Sequence, residues 1–228
     1  MVDAFFVKHL ALEPEDAHML HQKYYKEYGL ALEGLARNHK VDPLQFNYEV
    51  DDALPMDKIL KPDPKLRALI EDIDQSKVKL WLLTNAYVNH AKRVVKLLQI
   101  DDLFEGVTFC DYSQFPLICK PNQEMYRRAE ADAGAPGPDQ CYFVGMSFTL
   151  FFPPVNWFKK MRLIHGMVDD SHLNCKHAEA RGWTTVHLVE PGLPIPRIPA
   201  CKYMVHRLED LRVHFPHLFK STSGQTSG

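Results

Sequence analysis

Val78-Lys79-Leu80-Trp81-Leu82-Leu83-Thr84-Asn85-Ala86 is the stretch on which the reading of this chain turns. Val78 to Leu83 is nearly continuously apolar, broken only by Lys79, the pattern of a buried strand in a parallel sheet. It stops abruptly on a hydroxyl and an amide. In open α/β sheets, ligands sit beyond the carboxyl ends of the strands, which makes Thr84 and Asn85 candidate donors at that edge. Taken alone, Thr84 reads as a cap for the helix that begins near Tyr87. Residues further along the chain shift the balance.

Working outward from this strand, helix and strand patterns alternate. Pro64 to Asp74 is a predicted helix with Leu66, Leu69, Ile70 and Ile73 on one face. After the strand comes a helix with Ala91, Val94, Val95 and Leu98 aligned. Gly106 to Cys110 reads as a second strand. Lys120-Pro121 leads into a helix over Asn122 to Ala133, followed by a third strand at Cys141 to Val144. Ser171 to Arg181 is a helix ended by Gly182, Thr184 to Val189 a fourth strand and Tyr203 to Val205 a short fifth. Leu208 to Phe219 reads as a final helix. Such alternation predicts an α/β fold with a parallel sheet covered on both faces. The part before it, residues 3–60, shows helical patterns only. Leu20, Tyr24 and Tyr28 share one face, Gly29 is a stop, and Asp42-Pro43 is a start. The expected organisation is a helical unit over 3–60, an α/β core over 61–219 and a loose Ser/Thr/Gly-rich tail over 220–228.

Composition bounds the function. The chain has 228 residues, 46% of them hydrophobic, enough for a sizeable core. A formal charge of −2 gives no reason to expect nucleic acid as a partner. The five cysteines form no C-x-x-C pair, so free thiols are expected rather than a disulfide framework or zinc site. The histidines show no metal-ligand spacing. The N-terminus lacks the pattern of a secretory signal, and the apolar run Met146 to Phe158 is interrupted by Pro153-Pro154 and too short to cross a bilayer. A cytoplasmic location, with the nucleus also open, is the corresponding expectation.

Three polar pieces fall at the ends of predicted strands or the starts of helices: Thr84-Asn85, Lys120-Pro121 and Asp169-Asp170-Ser171. A hydroxyl and amide that bind phosphate oxygens, a lysine that offsets their charge and paired carboxylates that hold Mg²⁺ are the parts of phosphoryl-transfer chemistry. Each piece alone reads as solvated surface or helix cap. In this order and placement the chain resembles the haloacid-dehalogenase-like (HAD) phosphatases, with Thr84 similar to that family's second motif, Lys120 to its third and Asp169-Asp170 to its fourth. Tyr24 to Leu30, Leu83 to Ala86, Cys110 to Ser113 and Val168 to Ser171 further resemble the pyrimidine 5'-nucleotidase branch of fungi and plants. The resemblance implies a Rossmann-like core with a helical cap, and Mg²⁺-dependent hydrolysis of a small phosphate monoester, a nucleoside 5'-monophosphate, through an aspartyl-phosphate. By that resemblance Thr84 and Asn85 bind phosphate, Lys120 stabilises charge, Asp169 holds the metal, Asp170 supports it or Lys120, and Tyr28 of the cap contacts the base.

Two departures stand out. The family's attacking aspartate belongs to an apolar strand followed by Asp-x-Asp, ahead of the cap, whereas Met1-Val2-Asp3-Ala4-Phe5 already reads as cap. Asp3 has no strand before it and Phe5 where the second acid belongs. The absent strand would occupy the middle of the sheet and leave its neighbours' edges open. Secondly, the block 145–168 has no clear period; without it, Cys141 to Val144 runs straight into Asp169. It reads as translated intron, and the open beginning as a lost first exon. A non-catalytic remnant that binds phosphate weakly is therefore a second reading. A docking patch at Phe148 to Phe158 is a third.

Overall fold

The computed structural model describes residues 1–146, 170–189 and 195–221, with Met146, Asp170 and Ser171 described by their backbone alone. The block 145–168 and the tail thus lie almost wholly outside the described residues.

Six helices precede the first strand: α1 (Val2–Leu10), α2 (Pro14–Tyr28), α3 (Ala31–Asn38), α4 (Pro43–Phe46), α5 (Met56–Ile59) and α6 (Pro64–Glu71), with a π-helical turn at Asn47–Asp51. Their boundaries follow local chemistry. Pro14 starts α2 with Glu15 and Asp16 at the positive end of the helix dipole. Gly29 ends it at φ +74°, its N–H donating to the Tyr25 carbonyl. The Asp42 carboxylate caps α4 by accepting from Leu44 N at 2.9 Å. Gly34 lets α3 lie directly on α2, since a Cβ there would sit 2.3 Å from the Tyr24 ring. Phe5, Phe6, Leu32, Leu35, Phe46 and Val50 form the centre of this unit.

The α/β part alternates as expected: β1 (Trp81–Thr84), α7 (Val88–Leu97), β2 (Gly106–Phe109), α8 (Gln123–Ala133), β3 (Tyr142–Met146), α9 (Asp170–Ala180), β4 (Thr184–Leu188), β5 (Tyr203–Val205) and α10 (Leu211–His214). Among the described residues all strand pairs are parallel and fall in two groups, β1–β2 and β3–β4–β5, the division expected of an open sheet that lacks its middle strand. β4 is buried along most of its length, whereas β1 is half-exposed throughout, and Tyr142 and Val144 of β3 are exposed. Full cover on both faces therefore holds for β4 and fails for β1 and β3.

Two predicted boundaries shift. The first strand pairs only from Trp81, because the Val78 N–H is taken by the Asp74 carbonyl in a turn. The single helix over Leu208 to Phe219 is instead a 3₁₀ turn at Leu208–Asp210, the one-turn α10, and a second 3₁₀ turn at Pro216–Leu218. Pro216 has no N–H and pushes Phe215 out of the helical region, to φ −134° and ψ 55°. Beyond it the chain is tied down again: Asp74 N–H donates to Leu218 O and Lys220 N–H to Asp72 O, both within 2.9 Å.

α8, α9 and the second sheet share a core of Tyr126, Ala129, Phe143, Cys175, Ala178 and Trp183. One ion pair closes its edge. The Glu130 carboxylate accepts from Arg181 Nε at 2.7 Å, from Arg181 Nη2 at 2.6 Å and from Trp183 Nε1 at 2.6 Å. Burial raises the Glu130 pKa, but these hydrogen bonds and the guanidinium charge together bring it below the usual range. A carboxyl depressed in the fold contributes stability above its unfolded pKa and loses it as pH falls through the folded value. Glu130→Ala strands Arg181 and the indole N–H, and is expected to cost roughly 3 kcal/mol near neutral pH. Urea denaturation at pH 7 and pH 3 checks this: the penalty should be large at the first and much reduced at the second.

Candidate functional site

The carboxyl end of β1 is held by one clasp. Asn85 Oδ1 accepts from the Lys120 backbone N–H at 2.7 Å, and Asn85 Nδ2 donates to the Lys120 carbonyl at 2.9 Å. Both amide atoms of Asn85 thus grip one residue 35 positions further on. The Lys120 side chain folds back onto the same strand: Nζ donates to the Leu83 carbonyl at 3.0 Å and lies 5.6 Å from the centroid of the Phe143 ring on β3. The lysine therefore touches both sheets. Thr84 Oγ1 accepts from Ala86 N–H at 3.1 Å, a local turn contact that keeps the hydroxyl at the strand's end. Helix α7 begins at Val88, with Tyr87 as its flanking residue and no side-chain cap.

The helical unit presses on this clasp. A Cβ at Gly29 would lie 2.8 Å from Lys120 O and 2.6 Å from Pro121 Cδ, so only glycine fits where α2 ends. Cys110, Tyr112, Leu117 and Cys119, from the segment between β2 and Lys120, pack into the same core as α1, α2 and α3. Tyr112 is buried and donates its hydroxyl proton to Asn85 O at 3.2 Å. Asp111 and Ser113 form a turn, with the Asp111 carboxylate accepting from Ser113 N at 3.0 Å and from Ser113 Oγ at 2.6 Å.

The sequence-predicted residues are placed as follows. Thr84, Asn85 and Lys120 meet at one strand end. Asn85 spends its amide on Lys120's backbone, a positioning contact that the sequence reading missed because it joins residues far apart in the chain. Tyr28 lies at the C-terminal end of α2, edge-on to Tyr24 at 5.9 Å, under the Arg37 guanidinium at 5.8 Å. Its backbone carbonyl faces Cys119 Sγ at 4.0 Å. Asp170 opens α9; Asp169 lies outside the described residues. Asp3 is on α1, where one oxygen accepts from His18 Nδ1 at 2.9 Å and the other from His21 Nδ1 at 2.6 Å. It is a link between α1 and α2, and stands at no strand end. Among the described residues no three His, Cys, Asp or Glu side chains are placed to hold a metal ion.

One further acid lies at this junction. Asp51 is half-buried at the end of the π-helical turn, close enough to Tyr112 for its charge to oppose ionisation of the phenol. Burial, then the neighbouring Asp52, push its carboxyl up to about 6.

A model of the haloacid dehalogenase-like hydrolases matches residues 4–146. The chain belongs to that family. It is 40% identical over 148 residues to phosphate metabolism protein 8 of Saccharomyces cerevisiae, a match that takes in 61% of this chain and 46% of the yeast protein. The chain thus spans about half the length of that relative. In fold it is similar to a dehalogenase solved as an intermediate complex (TM-score 0.55, 17% identity, 97% of this chain and 92% of the other). It is also similar to a HAD phosphatase from Thermococcus onnurineus (TM-score 0.53, 16% identity, 94% and 86% of the two chains).

Two consequences are measurable. Asn85→Ala leaves the Lys120 N–H and C=O without their partners and is expected to destabilise by about 1–3 kcal/mol, read from urea denaturation. Asp51→Asn should act in the opposite direction. A carboxyl raised in the fold gives stability that is complete below its unfolded pKa and is lost as pH rises through the folded value, here about 6. The amide removes that loss, so the variant should be more stable at pH 7.5 by on the order of 2 kcal/mol. Thermal melts across pH should show the gain vanishing below pH ~4.

Proposed function

We propose that this chain carries the phosphate-binding and charge-stabilising half of a phosphate monoester hydrolase, and that the substrate is a nucleoside 5'-monophosphate. The observation that carries the reading is the Lys120 ammonium anchored on the carbonyl of Leu83, the residue before Thr84 at the carboxyl end of β1. A fixed cation and a hydroxyl donor at a strand's end suit the oxygens of a transferring phosphoryl group. Asn85 serves by holding Lys120's backbone. The helical residues 3–60 act as a cap over the α/β core, with Gly29 and Tyr28 at their contact with Lys120. The pyrimidine nucleotide as substrate rests on the motif resemblance, and the yeast relative's name places that protein in phosphate metabolism. Mg²⁺ enters the proposal through the same resemblance, with Asp169 as its candidate ligand; when bound it would offset phosphate charge. A cytoplasmic location belongs to the proposal as well.

The 228 residues by themselves are proposed to bind phosphate without turning it over, because Asp3, the acid nearest the place of the family's attacking aspartate, stands on α1 and at no strand end. The test is hydrolysis of uridine monophosphate with Mg²⁺, by the chain alone and by the same chain preceded by an apolar strand ending in Asp-x-Asp. Turnover is expected only in the second, and Lys120→Ala should lower it by about 10²–10³. Turnover by the first would contradict the missing-nucleophile argument. No turnover in the second, with an intact circular dichroism spectrum, would sink the phosphatase reading.

A further inference from the structure

The C-terminal end of α3 and the segment between β2 and Lys120 border an open cleft of about 480 Å³, within the range of roughly 300–1,000 Å³ in which proteins hold small ligands. Its lining includes Arg37, Asn38, His39, Lys40 and Val41 from the helical unit and Phe115 from the segment. Thr84, Asn85 and Lys120 take no part in it, so it is separate from the strand-end site. Most of these side chains are set in place within the protein. Glu33, only 3% exposed, accepts from Arg37 Nε, and the guanidinium lies 5.8 Å from the centre of the Tyr28 ring. Asn38 Nδ2 donates to the Gly34 carbonyl at 2.9 Å and reaches the Tyr28 hydroxyl at 3.4 Å. The Tyr24 hydroxyl and His39 Nε2 are 2.8 Å apart. Two groups are left to solvent. Lys40 is exposed and has no ion-pair partner among the described residues, and Phe115 is 64% exposed, a large apolar face without cover. No carboxylate lines the cleft, and the nearby Asp42 spends its own on Leu44 N.

We propose that this cleft binds a nucleotide, with its base stacked on Phe115 and its phosphate on Lys40 and the Nη groups of Arg37. An aromatic face beside cations is the arrangement that holds a base and its phosphate without reading a sequence. Asn38 spends its amide N–H groups within the protein, which leaves Oδ1 to accept from a ring N–H or amino group of the base. Magnitudes divide the work. Glu33 offsets the Arg37 charge, and the end of α3 adds about half a negative charge. The net attraction for a phosphate therefore rests on Lys40 and is modest at this exposure, and stacking on Phe115 supplies the larger share. Arg37, Asn38 and His39 are already ordered, so little of the binding energy is lost in fixing them. The site stands whether or not the strand end turns over a phosphate ester, since the two share no lining residue.

The experiment illuminates the native 228-residue chain, without Mg²⁺, in the presence of the photolabel 8-azidoadenosine 5'-monophosphate and maps the digest by mass spectrometry. Label is expected on the peptides that carry residues 36–43 or Phe115, and unmodified adenosine 5'-monophosphate should compete it away. The probe concentration that half-saturates those peptides should rise about tenfold or more in Phe115→Ala and stay near the wild-type value in Phe115→Trp, which keeps a stacking face. Lys40→Ala should raise it about threefold, more at low salt than at high, and should leave labelling by 8-azidoadenosine, which has no phosphate, unchanged. Label absent from those peptides, label that adenosine monophosphate does not displace, or half-saturation that Phe115→Ala leaves unmoved would each overturn the proposal. So would equal losses of both probes in Lys40→Ala.

Discussion

The grip of Asn85 on the backbone of Lys120 is the constraint on which the site depends. It is a contact between a strand end and a segment 35 residues away, and it fixes Lys120 at both of its peptide groups. With the backbone fixed, the side chain has a short route to the Leu83 carbonyl and the Phe143 ring. A lysine held only by its stem would lose much of its positional order to rotamer entropy. Here the backbone clasp restricts where the ammonium can go before the side-chain contacts are made. The same lysine touches β1 of one group of strands and β3 of the other, so its placement serves the fold as well as the proposed anion site.

The helices of residues 2–59 contribute to that placement through packing. Cys110, Tyr112, Leu117 and Cys119 belong to the core of Phe6, Leu32 and Leu35. The segment that delivers Lys120 is thus buried against the helical unit, while its two ends belong to the α/β part. Gly29 allows the closest approach, with α2 ending directly on the Lys120 carbonyl. Burial of this shared face is worth several kcal/mol at ordinary transfer values, more than the separate hydrogen bonds of the clasp contribute. Hydrophobic packing brings the segment to the strand end, and the Asn85 amide then sets its register.

Element types were readable because apolar period and breaker residues agree locally. Leu66, Leu69 and Ile70, the Gly29 stop and the Asp42 cap each act within one or two turns of where they stand. Thr84, Asn85 and Lys120 were readable as a group because each sits where a periodic segment changes. What the sequence did not disclose is long-range. The Asn85 amide joins positions 35 apart in the chain, where no local pattern records the contact. The final helix misled because Leu208, Leu211 and Phe215 keep a helical spacing while Pro216 ends the helix before Phe219 can join it.

The separation of β1–β2 from β3–β4–β5 explains why so few side chains carry the site. In a parallel sheet a central strand shields its neighbours and supplies backbone partners on both sides. β1 and β3 each pair on one side among the described residues, and their half-exposed surfaces follow from that. The Leu83 carbonyl, at such an edge, takes its hydrogen bond from Lys120 Nζ. One ammonium thus satisfies an edge carbonyl, packs on an aromatic face of the facing sheet, and brings positive charge to the strand's end. A phosphate oxygen arriving there would meet a cation whose position has already been set by the sheet edges, so the ordering cost falls on folding instead of on binding.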